Sequence, residues 1–128
     1  GVAGIHRVVD GLRDTPQWYG RFSGVLKQIH RHFAEELDIA ALAAAAGVSQ
    51  SQLERRFRQL LGTSPGEYIL RVRVSASRPL LEATDRTIAD IALAVGFYDH
   101  SHFTRTFKRM MSCSPKQYRD GHRQQRAT

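Results

Sequence analysis

Between Ile39 and Tyr68 the apolar positions fall at helical rather than strand spacing, and they divide into two runs. Ile39, Leu42 and Ala43 form a short run that stops at Gly47, a residue able to take the positive φ that ends a helix. Ser49 then offers an N-cap, and Leu53, Phe57, Leu60 and Leu61 share one face of the segment that follows. Ser51, Gln52, Arg55, Arg58 and Gln59 project from the opposite face. The pattern predicts helix, turn, helix, with the second helix apolar on one side and polar and basic on the other.

The same pattern is written again between Ile88 and Tyr118. Ile39 aligns with Ile88, Ala40 with Ala89, Leu42 with Ile91 and Gly47 with Gly96. After that turn the second copy carries one extra residue, and the alignment continues from Leu53 on Phe103 through Arg55 on Arg105 and Phe57 on Phe107. It closes with Ser64-Pro65 on Ser114-Pro115 and Tyr68 on Tyr118. Repetition on this scale points to a supersecondary unit used twice. In the second copy Phe103, Phe107, Met110 and Met111 face inward, and Ser101, His102, Arg105, Lys108 and Arg109 face outward. A helix-turn-helix lays such a helix in the major groove of DNA. One arginine-rich face is ordinary solvated surface; two in register favour a nucleic-acid partner.

The remaining segments frame the two units. Val2, Ile5, Val8, Val9 and Leu12 keep helical spacing and predict a short amphipathic helix before Asp14-Thr15-Pro16. Phe22, Val25, Leu26, Ile29, Phe33 and Leu37 form a second stripe, starting as early as Pro16, for a helix that supports the first unit. Ser64 as N-cap, Pro65 at the first helical position and Glu67 closing a capping box start a long helix to Ala83. That linker would be about 28 Å long, close to one turn of B-DNA. Pro79 inside it removes the donor for the Ser75 carbonyl and predicts a bend between the two. Thr87, with Asp90 three residues on, caps the first helix of the second unit. Ser114-Pro115 opens a short last helix, and the polar residues beyond Gly121 are expected to fray.

The domain plan is therefore a leader with a short helix over 1–20, a first helix-turn-helix subdomain over 21–63, a linker helix over 64–84, a second subdomain over 85–121 and a tail over 122–128. The fold class is all-α. At 128 residues the chain holds one domain, or two small subdomains sharing a helix, and only a modest core. The formal charge of +7 is uneven: residues 1–48 hold five basic and five acidic side chains, and residues 49–128 hold fourteen basic against seven acidic. Such a surface favours phosphate backbones or anionic membranes. No apolar run approaches the roughly 18 residues of a membrane span, which argues against a membrane partner. The single Cys113 excludes an internal disulfide and is compatible with a reducing cytoplasm.

Chemistry other than binding finds little support. Asp99, His100 and His102 lack a fourth ligand placed by spacing, and His30 and His32 lie on different faces, so no metal site is expected. There is no phosphate-binding loop motif, no nucleophile elbow and no cysteine with an evident base partner, so neither an enzyme activity nor a cofactor is predicted.

The run IADIALAVGFYDHSHFTRTFKRMMSCSPKQYR resembles the C-terminal signature of the AraC/XylS family of bacterial transcription regulators. The matching positions are Ile88, Ala89, Ile91, Ala92, Val95, Gly96, Phe97, Ser101, Phe103, Arg105, Phe107, Lys108, Pro115 and Tyr118, within a likeness that extends over Phe22 to Arg119. The resemblance implies two helix-turn-helix subdomains joined by a long helix, reading successive major-groove segments of double-stranded DNA in the bacterial cytoplasm. Carried over by position, it implies base contacts at Ser51, Glu54 and Arg55 in the first reading helix and at His100, Ser101, His102 and Arg105 in the second. The candidates for phosphate contact are Ser49, Gln52, Arg58, Arg71, Arg73, Thr87, Thr106 and Lys108. Two departures stand out: Pro79 replaces a helix-former, and Ser77 stands where the family often has alanine. Family members are either short stand-alone activators or carry an N-terminal effector or dimerisation domain. The net-neutral leader and the absence of an initiator Met favour an excised C-terminal domain.

Two other readings stay open. A basic architectural or RNA-binding module would hold phosphates without sequence preference and show steep salt dependence. A protein-interaction domain, contacting RNA polymerase for example, would be indifferent to loss of Arg55 or Arg105.

Overall fold

The computed structural model describes residues 15–127, so the helix expected between Val2 and Leu12 lies outside the described residues. Seven helices and no strand make up that part: α1 (Thr15–His32), α2 (Ile39–Ala45), α3 (Gln50–Leu61), α4 (Pro65–Ala83), α5 (Ile88–Ala94), α6 (His100–Met111) and α7 (Pro115–Ala127). The two copies of the sequence pattern are α2–α3 and α5–α6, with α4 between them.

Two separate cores form because each copy has its own apolar stripe. Trp18, Phe22, Val25 and Ile29 of α1 close over Leu42, Ala43, Ala46, Leu53, Phe57 and Ile69. Val74 and Leu81 of α4 close over Ile91, Ala92, Val95, Phe97, Phe103 and Phe107. The linker helix thus gives Ile69 to one core and Val74 and Leu81 to the other. The aromatic packing repeats with the sequence: Phe57 meets Tyr68 at 5.8 Å and 62°, and Phe107 meets Tyr118 at 5.6 Å and 70°. Such edge-to-face pairs add to the burial of their area.

Helix starts follow the local chemistry read in the sequence. Ser49 and Gln52 form a reciprocal capping box on α3. Thr87 accepts from the Asp90 amide at 3.0 Å on α5. Ser114 and Gln117 exchange bonds of 2.8 and 3.1 Å at the start of α7. The box expected at α4 is only half made. Ser64 accepts from the Glu67 amide at 3.1 Å, but the Glu67 carboxylate is drawn to Arg109, a full positive charge that competes for it.

Three expectations change. The first helix begins at Thr15, and Trp18 is buried in the first core, so that subdomain reaches back past the boundary drawn at residue 21. Leu37 packs on the core from the segment beyond the end of α1. The tail does not fray after Gly121, because α7 continues to Ala127 and Arg123 anchors it: its guanidinium donates to the Thr84 carbonyl at 3.1 Å and to Asp85 at 2.6 Å.

The helix α4 runs unbroken through Pro79. Pro79 and Ser75 both lie on its exposed side, where water can hydrate the carbonyl that the proline leaves without a donor. Ser77, fully buried at the second core, satisfies its hydroxyl by donating to the Val74 carbonyl at 2.6 Å.

The subdomains meet where the second turn passes the end of α1. Gly96 holds φ +99, and a Cβ there would stand 2.6 Å from the Phe33 carbonyl oxygen and 3.0 Å from Ala34 Cα. Its counterpart Gly47, at φ +74, has only the Arg21 guanidinium nearby, 3.7 Å from such a Cβ. Gly47→Ala is expected to cost about 1–2 kcal/mol from the left-handed backbone alone. Gly96→Ala adds a clash with backbone and is expected to cost about 3–5 kcal/mol. Urea unfolding of both variants checks this; equal losses would mean that the second turn is not pressed against α1. For Pro79→Ala, restoring the helix donor outweighs the added freedom of the unfolded chain, and a gain of about 2 kcal/mol is expected. An unchanged urea midpoint would show that the free Ser75 carbonyl costs nothing.

Candidate nucleic-acid interface

The two candidate reading helices are α3 and α6. Each is held from beneath by fully buried residues, Leu53 and Phe57 in α3 and Phe103 and Phe107 in α6. Each is fixed at its N-terminus by a cap: Ser49 on α3, and on α6 Asp99, whose carboxylate accepts from the His102 amide at 2.7 Å. The metal-like cluster Asp99, His100, His102 is thus a helix start. With core and cap settled, the outward face is left for a partner.

Ser51, Glu54 and Arg55 are exposed on α3, and His100, Ser101 and Arg105 are exposed on α6. None of these six side chains is engaged in an intramolecular hydrogen bond or ion pair among the described residues, so forming a contact to a base breaks nothing. His102 differs: it is half-buried, its ring edge-on to Phe97 at 5.1 Å and 80°. The phenylalanine fixes the direction of that imidazole.

The phosphate candidates separate. Arg58, Arg71 and Lys108 are exposed and make no hydrogen bond or close ion pair among the described residues, although the charge of Arg71 helps Arg109 to lower the Glu67 pKa. Ser49, Gln52 and Thr87 are exposed, but their oxygens are spent on caps, leaving the two hydroxyl protons and the Gln52 amide protons to donate. Thr106 is buried at 5% exposure, which counts against the phosphate contact expected of it.

Arg73, also expected at a phosphate, is engaged within the fold. Its Nε donates to the Phe33 carbonyl at 2.8 Å and its Nη2 to the Glu35 carbonyl at 3.0 Å, so the linker helix grips the chain just past the end of α1. Burial pushes its pKa down from the ordinary arginine range, yet a guanidinium stays charged at any physiological pH. The fork satisfies two carbonyls of the turn that follows the helix. Local pattern in the sequence carried no sign of this, since the partners lie about forty residues away.

Other cations are occupied in the same manner. Arg109, outward on α6, grips Glu67 with bonds of 2.7 and 3.2 Å and holds that carboxyl below the usual range. Arg78 lies over the Tyr118 ring and donates to its hydroxyl at 3.3 Å, while that hydroxyl bonds Glu82. Arg119 donates to the Leu81 and Thr84 carbonyls at 3.1 Å each, closing the end of α4.

No helix among the described residues is long and apolar enough to cross a membrane, and no group of three or more His, Cys, Asp or Glu there is placed to hold a metal ion.

Comparison with known proteins gives consistent results. A family model described as a helix-turn-helix domain matches residues 42–121. The HTH-type transcriptional activator RhaS of Enterobacter sp. (strain 638) is 34% identical over 114 residues, spanning 89% of this chain and 40% of that protein. The HTH-type transcriptional regulator MtrA of Neisseria gonorrhoeae is 39% identical over 85 residues, 66% of this chain and 28% of that protein. The chain thus spans well under half the length of these relatives. Among solved structures, the DNA-binding domain of the global transcriptional factor AdpA, crystallised with a target DNA, superimposes with a TM-score of 0.77 at 31% identity. It covers 83% of this chain and 96% of that one. An AraC-type transcriptional regulator from Chromobacterium violaceum gives a TM-score of 0.73 at 32% identity, covering 87% and 96%.

The role of Arg73 is open to a direct check. Arg73→Lys keeps a cation for a phosphate but cannot bridge two carbonyls, so it is expected to lose about 1–2 kcal/mol of stability, nearly as much as Arg73→Ala. Urea unfolding measures this, and a lysine variant as stable as the parent would return Arg73 to the phosphate group.

Proposed function

The chain is a DNA-binding domain of the AraC/XylS-type helix-turn-helix family, and from that membership we propose how it reads its site. It binds double-stranded DNA in a sequence-specific way and acts in the regulation of bacterial transcription. In our reading α3 and α6 enter successive major-groove segments on one face of the duplex, with α4 setting their separation. The observation that carries this is the pair of capped, core-anchored helices whose exposed Ser51, Glu54, Arg55, His100, Ser101 and Arg105 make no hydrogen bond or ion pair among the described residues.

Arg55 and Arg105 stand at equivalent places on the two helices and each suits a guanine, whose O6 and N7 accept the two prongs of a guanidinium. Ser51 and Glu54 flank the first, and His100, Ser101 and His102 flank the second. Glu54 accepts from a cytosine amino group or steers Arg55. Arg58, Arg71 and Lys108 take phosphates, fixing register without reading sequence. The parent protein's activity, an N-terminal effector or dimerisation domain, contact with RNA polymerase and a cytoplasmic location all belong to this proposal.

Selection of binding sites from random duplexes at near-physiological salt tests it. Two enriched blocks about 10 bp apart are expected. Arg55→Ala should relax one block and Arg105→Ala the other, each at a cost of about 1–3 kcal/mol on the selected site. Arg71→Ala should weaken all sequences alike and lower the salt slope by about 1. Binding with no enriched sequence would favour the non-specific basic module, and site preference unchanged in both reading-helix variants would remove the base contacts assigned here.

A further inference from the structure

An open cleft of about 470 Å³ runs along one flank of α3, walled by Trp18 and Arg21 of α1, by Gly47 of the turn, and by Gln52, Arg55 and Arg56. Base reading is assigned to Arg55 alone, which leaves Arg21 and Arg56 without a role. Three arginines converge there, and among the described residues none of them pairs with a carboxylate. The Arg56 guanidinium lies over the Trp18 ring, 5.2 Å from its centroid. The Arg21 guanidinium rests over the turn, Nη1 being 3.7 Å from where a Cβ on Gly47 would stand. Trp18 is only 4% exposed, and its buried indole Nε1 meets no acceptor among the described residues. The cleft therefore presents guanidinium donors around an indole that holds one of them in place.

The position of the cleft identifies the anion. Arg55, the candidate base reader, lines the same cleft, so its mouth opens beside the helix face assigned to the groove. The flanks of a helix lying in the major groove face sugar-phosphate backbone. Guanidinium forks match phosphate oxygens bidentately, and an arginine stacked on an aromatic face is held in place for that task. We propose that Arg21 and Arg56, on the Trp18 platform, seat one phosphate of the DNA backbone at the flank of α3. The seat rests on the DNA-reading role of α3 proposed above. It also extends the interface to Trp18 and Arg21, outside the segment matched by the family model, residues 42–121.

The test uses the whole chain and the duplex recovered by site selection, with single backbone phosphates replaced in turn by neutral methylphosphonates. For the parent protein, one replacement beside the first-subdomain block should weaken binding about tenfold, and in Arg21→Gln, where only Arg56 still holds that phosphate, the same replacement should cost clearly less. Arg21→Gln should also lower the salt slope by about 1 without changing the selected sequence. Trp18 is the only tryptophan in the chain, so its fluorescence reports on the seat directly. The emission should change on adding the duplex and stay constant in millimolar inorganic phosphate. Arg21 is exposed, and thermal unfolding of Arg21→Gln should match the parent. Methylphosphonate profiles that coincide for parent and Arg21→Gln, with sequence selection intact, would overturn the seat. A Trp18 response to inorganic phosphate alone would reassign it to free anions. A parent protein that selects no sequence would instead overturn the reading of α3 on which the seat depends.

Discussion

The architecture depends on the grip of Arg73 on the carbonyls of Phe33 and Glu35. Two small cores joined by one helix have no intrinsic reason to hold a fixed mutual angle, since each buries its own stripe and a single helix leaves rotation about its ends. The guanidinium ties the middle of α4 to the chain leaving α1, through bonds of 2.8 and 3.0 Å. Gly96 lets the second turn come down on the same spot, where a Cβ would meet the Arg73 Nε at 2.8 Å. Phe33, just past the first subdomain's support helix, packs against the second core rather than the first. Three elements therefore meet at one joint, and a reader of two groove segments needs such a joint if one duplex is to engage both helices.

The basic character of the chain divides between holding the fold and meeting a partner. Arg73, Arg119 and Arg123 satisfy carbonyls at or just past helix ends, Arg109 binds Glu67, and Arg78 lies over Tyr118. These are forks closing contacts that the backbone leaves open, a use that suits arginine better than lysine. The side chains left over, among them Arg55, Arg58, Arg71, Arg105 and Lys108, lie exposed on α3, α4 and α6. A net charge of +7 thus describes a field that steers DNA toward the domain, while only part of that charge is free to touch it.

Interactions close in sequence were legible from the residues alone. A capping hydroxyl three residues from its amide, a glycine at a left-handed turn and an apolar stripe at i, i+4 and i+7 are set by local geometry. The pattern therefore predicted the two helix-turn-helix units, their caps at Ser49, Thr87 and Ser114, and the inward set Leu53, Phe57, Phe103 and Phe107. The repeat placed Arg55 and Arg105 at matching positions on the exposed faces, and their freedom from intramolecular partners agrees with that placement.

What the tertiary structure decided concerns partners far apart in the chain. Among the described residues the same arginine type makes no hydrogen bond at Arg71 and two at Arg73, because one lies on the exposed face of α4 and the other faces the end of α1. Glu67 reads as half of a capping box until Arg109, on another helix, draws its carboxylate away. Polar residues after Gly121 read as a fraying tail until Arg123 finds Thr84 and Asp85. Thr106 lies in the same helix as Arg105, but a turn of about 100° per residue takes it from the outer surface into the wall of the core. Periodicity and capping are properties of a segment, and the sequence determined them by itself. Which charges are spent on the fold depends on how the segments dock, and only the packed structure brings those pairs together.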